Sequence, residues 1–154
     1  MITAVIPTLN AARELHALLS ALVPAAAEGL VRQVLVLDGG SSDGTHELCE
    51  DAGADVLDVP LAEAARRARG DWILALPVDL RLRRGWDAAV VAHLERGGGA
   101  ALLVDATEPE GWLARLKGPS KAGVLLKRAA VEALGPGADL DALRRHAGRA
   151  PRLS

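Results

Sequence analysis

"VLVLDGGSSDGT", residues 34–45, is the stretch that decides the fold. An apolar run ends on Asp38, and a loop of small and polar residues follows it. A short apolar run bounded by turn residues is typical of a buried strand, and glycines let a ligand approach the backbone closely. The stretch therefore predicts a buried strand that carries a carboxylate and a flexible polar loop at its carboxyl end.

Further apolar runs and helical patterns alternate on both sides of this strand. The predicted strands are 2–6, 31–37, 54–59, 71–76, 100–104 and 122–128. The predicted helices are one that carries Leu15, Leu18, Leu19 and Leu22 at helical spacing, then 45–52, 61–68, 85–95, 129–134 and 139–147. Alternation of this kind predicts a three-layer α/β/α fold with a mostly parallel sheet. In such sheets ligands bind beyond the carboxyl ends of the strands, where Asp38 lies.

Local signals predict where the first two helices begin and end. Asn10 follows the first strand and is positioned to cap the first helix, and the segment 24–29 is predicted to be a loop. Asp43 is positioned to cap the second helix, and Gly53 is positioned to end it. Asn10 and Asp43 therefore each have a structural interpretation that needs no ligand.

Composition limits the classes of protein to consider. The 154 residues have a formal net charge of −2, contain neither Phe nor Tyr, and include one cysteine, Cys49. This charge gives no electrostatic reason to expect nucleic acid as a partner, and a single cysteine fits a reducing compartment. The start lacks a signal-peptide pattern and the apolar runs are too short for a membrane span. We expect one cytoplasmic domain over 1–154, with contact at a membrane surface left open.

Three kinds of ligand loop are compatible with a glycine-rich turn after a strand. A phosphate-binding P-loop requires a lysine where Thr45 stands, and a dinucleotide fingerprint requires a glycine spacing that Gly39 and Gly40 break. The third kind uses the acid itself, because a carboxylate at a strand end can accept hydrogen bonds from a base N–H or a ribose hydroxyl. The loop comparison therefore leaves the Asp38 carboxylate itself as the group that a ligand would contact at this edge.

Four ordered segments resemble family 2 nucleotide-sugar glycosyltransferases of the GT-A fold. They are "VIPTLNAARELHALLSAL" (5–22), "VLVLDGGSSDGTHELCEDAGADVL" (34–57), "ARGDWILAL" (68–76) and "VDLRLRRGW" (78–86). The resemblance extends over residues 2–86 and is nearest to a small bacterial subgroup. It implies transfer of a sugar from a nucleotide-diphosphate sugar, with a UDP-type donor, to an acceptor that the sequence does not identify.

The resemblance also implies which residues bind the donor. The implied nucleotide-binding set is Pro7, Thr8, Asn10, Asp38, Gly39 and Gly40. Residues 1–104 would then form the nucleotide-binding βα units, and residues 105–154 the acceptor side. For the glycines, a tight turn is the simpler interpretation.

The metal motif of the family is incomplete in this sequence. The family has a D-x-D at the end of the fourth strand, which holds Mg²⁺ or Mn²⁺ against the diphosphate. Here Pro77 stands at the first acid and Asp79 at the last, so the resemblance implies a metal only together with bound nucleotide. Asp79 is otherwise a solvated loop acid. Arg81, with Arg83 and Arg84, either binds the diphosphate or is a solvated part of the same loop.

The catalytic base is also missing from its usual place. The family's acidic pair falls on Pro136 and Gly137, and a shift of the alignment by one gap recruits Asp139 or Asp141 instead. Two hypotheses follow: an inverting glycosyltransferase, or a degenerate relative that binds nucleotide or a partner protein without transfer. Four basic side chains of the C-terminal third either form a second patch that faces phosphate or an anionic acceptor, or are ordinary surface charge, which is the simpler interpretation. These are Lys117, Lys121, Lys127 and Arg128.

Overall fold

The computed structural model describes residues 1–109, 111, 112, 116 and 118–153. The strands are β1 Ile2–Thr8, β2 Val31–Asp38, β3 Asp55–Leu57, β4 Trp72–Ala75, β5 Ala101–Val104, β6 Ala122–Lys127 and β7 Arg152–Leu153. The helices of the described residues include α1 Ala12–Ala27, α2 Thr45–Ala52, α3 Leu61–Arg67, α4 Trp86–Glu95, α5 Arg128–Ala133 and α6 Leu140–Ala147. The predicted alternation of strands and helices is confirmed.

The strands form one sheet in the order β3-β2-β1-β4-β6-β5-β7. The pairs β1–β2, β1–β4, β2–β3 and β5–β7 are parallel, whereas β6 is antiparallel to both of its neighbours, β4 and β5. The mostly parallel sheet that the sequence predicts is therefore confirmed. Because β6 runs in the opposite direction, its first residues lie at the same edge as the carboxyl ends of the other strands.

Each face of the sheet carries its own apolar core. Ile2, Ala4 and Ile6 of β1 pack with the leucines of α1 and with Trp86 of α4. Val5 of β1 points to the other face, where the core includes side chains from three helices. These are Leu61 of α3, Val131 of α5 and Leu143 of α6. Alternate residues of a strand point to opposite faces, so helices cover the sheet on both sides.

Two of the expected helix limits are wrong. The segment 24–29 is not wholly a loop, because α1 continues through Pro24 to Ala27 and buries Ala25 completely. Asn10 does not cap α1, since the cap residue is Ala11 and the backbone of Asn10 is left-handed, with φ 48°. Burial of Ala25 offsets the hydrogen bond that a proline inside a helix removes.

Gly53 ends α2 with φ 70°, as the sequence predicts. The short β7 is not predicted, because two residues carry too little pattern to mark a strand. Among the described residues, no helix combines the length and the apolar character that crossing a membrane requires.

Candidate active site

The loops after β1 and β2 are joined by hydrogen bonds at the carboxyl edge of the sheet. The main-chain N–H of Gly39 donates to the carbonyl oxygen of Thr8 at 3.0 Å. The N–H of Asn10 donates to Oγ of Ser41 at 2.9 Å, and Oδ1 of Asn10 accepts from the N–H of Ser42 at 2.8 Å. Asn10 is thus the link between the two loops, which explains its left-handed backbone.

Asp43 strengthens the same link by bonding two helices. Its Oδ2 accepts from the N–H of Ala12, the first residue of α1, at 3.1 Å. Its Oδ1 accepts from the N–H and the hydroxyl of Thr45, the first residue of α2. The bond from Thr45 is the main reason that the pKa of Asp43 lies below its ordinary value. Although Gly44 is the formal cap of α2, Asp43 supplies hydrogen bonds at the start of both helices.

Asp38 is a buried carboxylate at the end of β2, with 6% of its surface exposed. Oδ2 accepts from the N–H of Ser41 at 3.1 Å and lies 2.7 Å from Nε2 of His46. Burial is the largest single influence and raises the pKa, but the bonds from Ser41 and His46 together outweigh it and lower the pKa of Asp38. The side chain is therefore an ionised, oriented acceptor at the predicted nucleotide edge.

Thr8 lies directly beside Asp38, since the two residues are partners in the β1–β2 ladder. The Thr8 side chain is buried, yet its hydroxyl has no hydrogen-bond partner among the residues that the structure describes. Buried polar groups in native proteins almost always have a partner. The Thr8 hydroxyl is therefore a buried polar group next to Asp38 that lacks a partner among the described residues.

A cleft of about 400 Å³ opens next to Asp38. Its lining residues come from the ends of β2 and β3 and from α2. They are Asp38, Gly40, His46, Val56, Leu57 and Asp58. Gly40 has φ 101°, a conformation that side-chain-bearing residues rarely adopt, so the loop requires glycine there.

Asp79, the remaining acid of the metal motif, is paired with a lysine. Nζ of Lys121 lies 2.6 Å from Oδ2 of Asp79, and it also donates to the main-chain oxygen of Asp79 at 3.4 Å. Pro77 contributes no side-chain ligand, and the described residues contain no group of three His, Cys, Asp or Glu side chains that could hold a metal ion. The residues present therefore do not fit a resident divalent cation.

The loop that follows Asp79 is held by Asp105, which lies at the end of β5. Oδ2 of Asp105 accepts from the N–H of Arg81 at 2.9 Å, and Oδ1 accepts from the N–H of Thr107 at 2.8 Å. Burial acts most strongly and raises the pKa of Asp105, but the bonds from Thr107 and Arg81 outweigh it and lower that pKa. Asp105 thus fixes the backbone that presents Arg81.

Arg81 faces a cavity of about 780 Å³ between α1 and the loop after β4. The charged residues that line this cavity are Arg13, Glu14, Asp79, Arg81 and Lys121. Arg83 instead donates to the carbonyl oxygen of Glu108 at 2.9 Å. The predicted arginine cluster is therefore divided, and Arg81 alone of the three lines this cavity.

Asp139 and Asp141 lie at the start of α6, beside a third cavity of about 460 Å³ that Pro7 also lines. Oδ1 of Asp139 caps α6 by accepting from the N–H of Ala142 at 2.8 Å. Asp141 pairs with Arg144 at 3.2 Å, and 68% of its side chain is exposed. The structure therefore brings both candidate bases to the same cavity as Pro7.

The amino-acid sequence of the chain matches one known protein family. The profile described as glycosyl transferase family 2 matches residues 3–117. The chain belongs to glycosyl transferase family 2. No functionally curated protein sequence matches the chain significantly.

Solved structures agree with the fold of this family 2 chain. Glucosyl-3-phosphoglycerate synthase from Mycobacterium tuberculosis, in complex with Mn²⁺, UDP and glucosyl-3-phosphoglycerate, is 20% identical with a TM-score of 0.70. The match covers 99% of this chain and 69% of that chain. Mannosyl-3-phosphoglycerate synthase from Rubrobacter xylanophilus is 18% identical with a TM-score of 0.64, and the match covers 84% of this chain and 54% of that one. These neighbours show the GT-A fold.

Two features of the site were not predicted from the sequence, the contact of His46 with Asp38 and the position of Asp105. His46 as a partner of Asp38 has no local signal, because a helical histidine is usually structural. Asp105 had a signal, since it follows the apolar run "ALLV" as Asp38 follows "VLVL". In the part of the chain that the structure describes, the basic side chains of the C-terminal third are divided, because Lys121 precedes β6 and Lys127 ends it. Lys117 lies outside the described residues.

Proposed function

We propose that this chain transfers a sugar from a UDP-type nucleotide sugar to a hydroxyl group of an acceptor, with inversion at the anomeric carbon. The observation that carries the proposal is the unpartnered, buried hydroxyl of Thr8 beside the ionised carboxylate of Asp38. A carboxylate that accepts hydrogen bonds and a hydroxyl without a partner among the described residues lie side by side at the carboxyl ends of parallel strands. Such a pair suits the polar atoms of a nucleoside. The complexes of the M. tuberculosis neighbour with UDP support this assignment.

Each member of the nucleotide-binding set has a role in this proposal. Asp38 accepts a hydrogen bond from the ribose or the base, and Thr8 bonds a neighbouring polar atom. The imidazole of His46 is 57% exposed, so it can turn away and leave a carboxylate oxygen to the nucleoside. In this proposal Pro7 and Asn10 form the border of the nucleotide pocket. Gly39 and Gly40, which follow Asp38 in the chain, let the ligand approach the backbone.

The reaction is a single displacement in this proposal. The acceptor oxygen bonds to the anomeric carbon while the bond from that carbon to the diphosphate oxygen breaks, and the electron pair leaves with the diphosphate. Asp141 or Asp139 takes the acceptor proton, with Asp141 the better placed because its carboxylate is largely exposed at the cavity. Asp139 and Asp141 thereby place the acceptor beside α6, in the segment 105–154, and Asp38 places the nucleoside beside β2, in the segment 1–104.

The Mg²⁺ or Mn²⁺ that the family resemblance implies has no place in these steps. For Asp79 to ligate a divalent ion, Lys121 has to leave its carboxylate, and Pro77 supplies no second ligand. The neighbour's Mn²⁺ complex therefore does not carry over residue by residue to this chain.

A second candidate function is nucleotide binding without transfer. Two observations favour it: the pairing of Asp79 with Lys121, and the replacement of the family's acidic pair by Pro136 and Gly137. General-base assistance contributes roughly 10²–10⁴-fold in rate, so its loss would leave turnover slow. Binding and turnover therefore have to be measured separately.

Calorimetric titration with UDP and GDP tests the binding. We expect UDP to bind, and Asp38→Ala to weaken that binding by about 1.5–3 kcal/mol, the scale of a hydrogen bond to a charged group. Asp51→Ala, at an exposed acid of α2, is the matched control and should bind as the unmodified chain does. Absence of binding for every nucleotide at millimolar concentration would refute the proposal.

Release of nucleoside diphosphate from UDP- and GDP-sugars tests the turnover. Release that Asp141→Asn abolishes, with UDP affinity unchanged, is the result expected of a transferase. Clear UDP binding without release from any donor would favour the second candidate.

A further inference from the structure

The ammonium of Lys121 is paired with Asp79, the remaining acid of the family's metal motif. We propose that the Lys121 ammonium binds the donor diphosphate and so takes over the role of a divalent metal ion. The inference rests on the proposed nucleotide-sugar function and names the group that holds the leaving phosphates. It makes donor binding independent of added metal.

The topology of the sheet delivers Lys121 to this position. β6 runs antiparallel to β4, so Lys121, just before β6, lies at the edge where β4 ends and Asp79 follows. The main chain at Lys121 is fixed at both of its polar groups. Its N–H donates to Oε1 of Glu108 at 3.2 Å, and its carbonyl oxygen accepts from the N–H of Asp105 at 3.2 Å. The ammonium therefore starts from an ordered backbone.

The contacts of the ammonium leave room for a phosphate oxygen. A lysine ammonium has three N–H donors, and the contacts to Asp79 use two of them, one to Oδ2 and one to the main-chain oxygen. The Lys121 side chain is 35% exposed and lines the cavity of about 780 Å³. One donor is thus left over on a side chain that lines the cavity.

The charges in this cavity also suit a diphosphate. Arg13, Arg81 and Lys121 are cationic and Glu14 and Asp79 are anionic, which leaves one positive charge in excess. Lysine binds phosphate as a compact point charge, and arginine binds it with parallel N–H donors. Fixed positive groups aimed at a leaving diphosphate stabilise the charge that develops as the sugar departs.

Asp79 has a different role in this arrangement from that of a metal ligand. It holds the lysine side chain in place by the 2.6 Å ion pair, so Asp79 positions and Lys121 binds. An exposed ion pair with no further role would leave nucleotide binding unchanged when Lys121 is removed. That difference makes the two interpretations separable.

The experiment compares nucleotides with their nucleosides in EDTA, for the unmodified chain and for Lys121→Met, Lys121→Arg and Lys127→Met. UDP and GDP carry the diphosphate, and uridine and guanosine lack it. Lys127 is the matched control because it is an exposed lysine at the far end of the same strand. Circular dichroism of each variant confirms folding.

We expect UDP or GDP to bind in EDTA, with little gain on adding Mn²⁺. Lys121→Met should weaken that binding roughly 10- to 100-fold while leaving the nucleoside affinity unchanged, which is the range for a lost bond to a charged group. Lys121→Arg should retain most of the affinity, and Lys127→Met all of it.

Four results would overturn the inference. Nucleotide binding that needs Mn²⁺, or that Lys121→Met leaves intact, removes the role of Lys121 but keeps the proposed function. An equal loss for nucleotide and nucleoside in Lys121→Met shows a structural effect, and again the proposed function stands. Failure of every nucleotide and nucleoside to bind the unmodified chain overturns both.

Discussion

Asp38 and Asp105 occupy equivalent places at the residue scale. Each lies at the end of an apolar strand, and each accepts hydrogen bonds from the loop that follows it, from Ser41 and from Thr107. In both cases these bonds outweigh burial and lower the pKa of the carboxyl group. A buried carboxylate that stays ionised orders the loop that follows it, so one residue type orders both the loop after β2 and the loop that contains Thr107.

Thr8→Val is the residue-scale test of the unpartnered hydroxyl. Because the Thr8 hydroxyl is buried without a partner among the described residues, its removal should raise the free energy of unfolding by about 1 kcal/mol, and on the proposed function it should weaken UDP binding. Urea unfolding and calorimetry measure the two effects. Thr3→Val is the control on the same strand, because the Thr3 hydroxyl accepts from the N–H of Gly70 at 3.0 Å. Equal destabilisation by both variants would show that Thr8 has a partner.

The elements of this fold begin and end by two different mechanisms. The end of α2 is local, since Gly53 adopts a left-handed backbone directly after Ala52. The start of α1 is not local, because the acceptor for Ala12 is Asp43, which lies 31 residues away. Sequence patterns therefore identified the glycine end and misassigned the cap to Asn10. The joined loops tie the starts of α1 and α2 to the same strand edge.

Gly53→Ala and Gly99→Ala together test the left-handed end of α2. A methyl group meets no heavy atom within 4 Å at either glycine, but φ is positive at Gly53 only. We expect Gly53→Ala to lower the free energy of unfolding by about 1–2 kcal/mol, the cost of a left-handed backbone for other residues. Gly99→Ala should cost nothing or stabilise slightly. Equal urea midpoints for the two variants would contradict the assignment.

At the scale of the whole molecule, the direction of β6 brings the charged side chains of Lys121 and Asp79 into contact. β6 is antiparallel to β4 and β5, so it returns Lys121 to the edge that holds Asp79 and Asp105. Asp105 is buried and ionised there, and its stabilising contacts join the loop after β4 to the start of β6. The integrity of this edge therefore depends on pH.

A fall in pH should lower the free energy of unfolding, because the native chain loses the contribution of ionised Asp105. Its pKa in the folded chain is below the ordinary value of 3.8, so the unfolded chain takes up the proton first as the pH falls. The stabilisation from ionised Asp105 is complete at pH values well above its ordinary pKa of 3.8, and it is lost as the pH falls through the pKa of the folded chain. The difference in unfolding free energy between the unmodified chain and Asp105→Asn should therefore narrow from about pH 5 to about pH 3.

Urea unfolding at each pH measures this difference. Asp51→Asn, at an exposed acid of α2, is the matched control. If the difference in unfolding free energy between the unmodified chain and Asp105→Asn stays the same or widens as the pH falls, the assignment of a lowered pKa to Asp105 is contradicted.

The sequence by itself determined the order of strands and helices, the mostly parallel sheet and the edge at which Asp38 lies. These features follow from apolar periodicity and turn residues within single short segments, so no distant contact is needed to infer them. The family resemblance likewise depends on contiguous motifs, from Pro7 to Trp86.

Only the tertiary structure decided what the site residues contact. The pairing of Asp79 with Lys121 joins residues 42 apart in the chain, and it depends on the direction of β6. The left-handed backbone of Asn10 likewise depends on the loop that contains Ser41 and Ser42. Hydrogen bonds and ion pairs between distant segments are set by strand order and strand direction, which local patterns of apolar and polar residues do not encode.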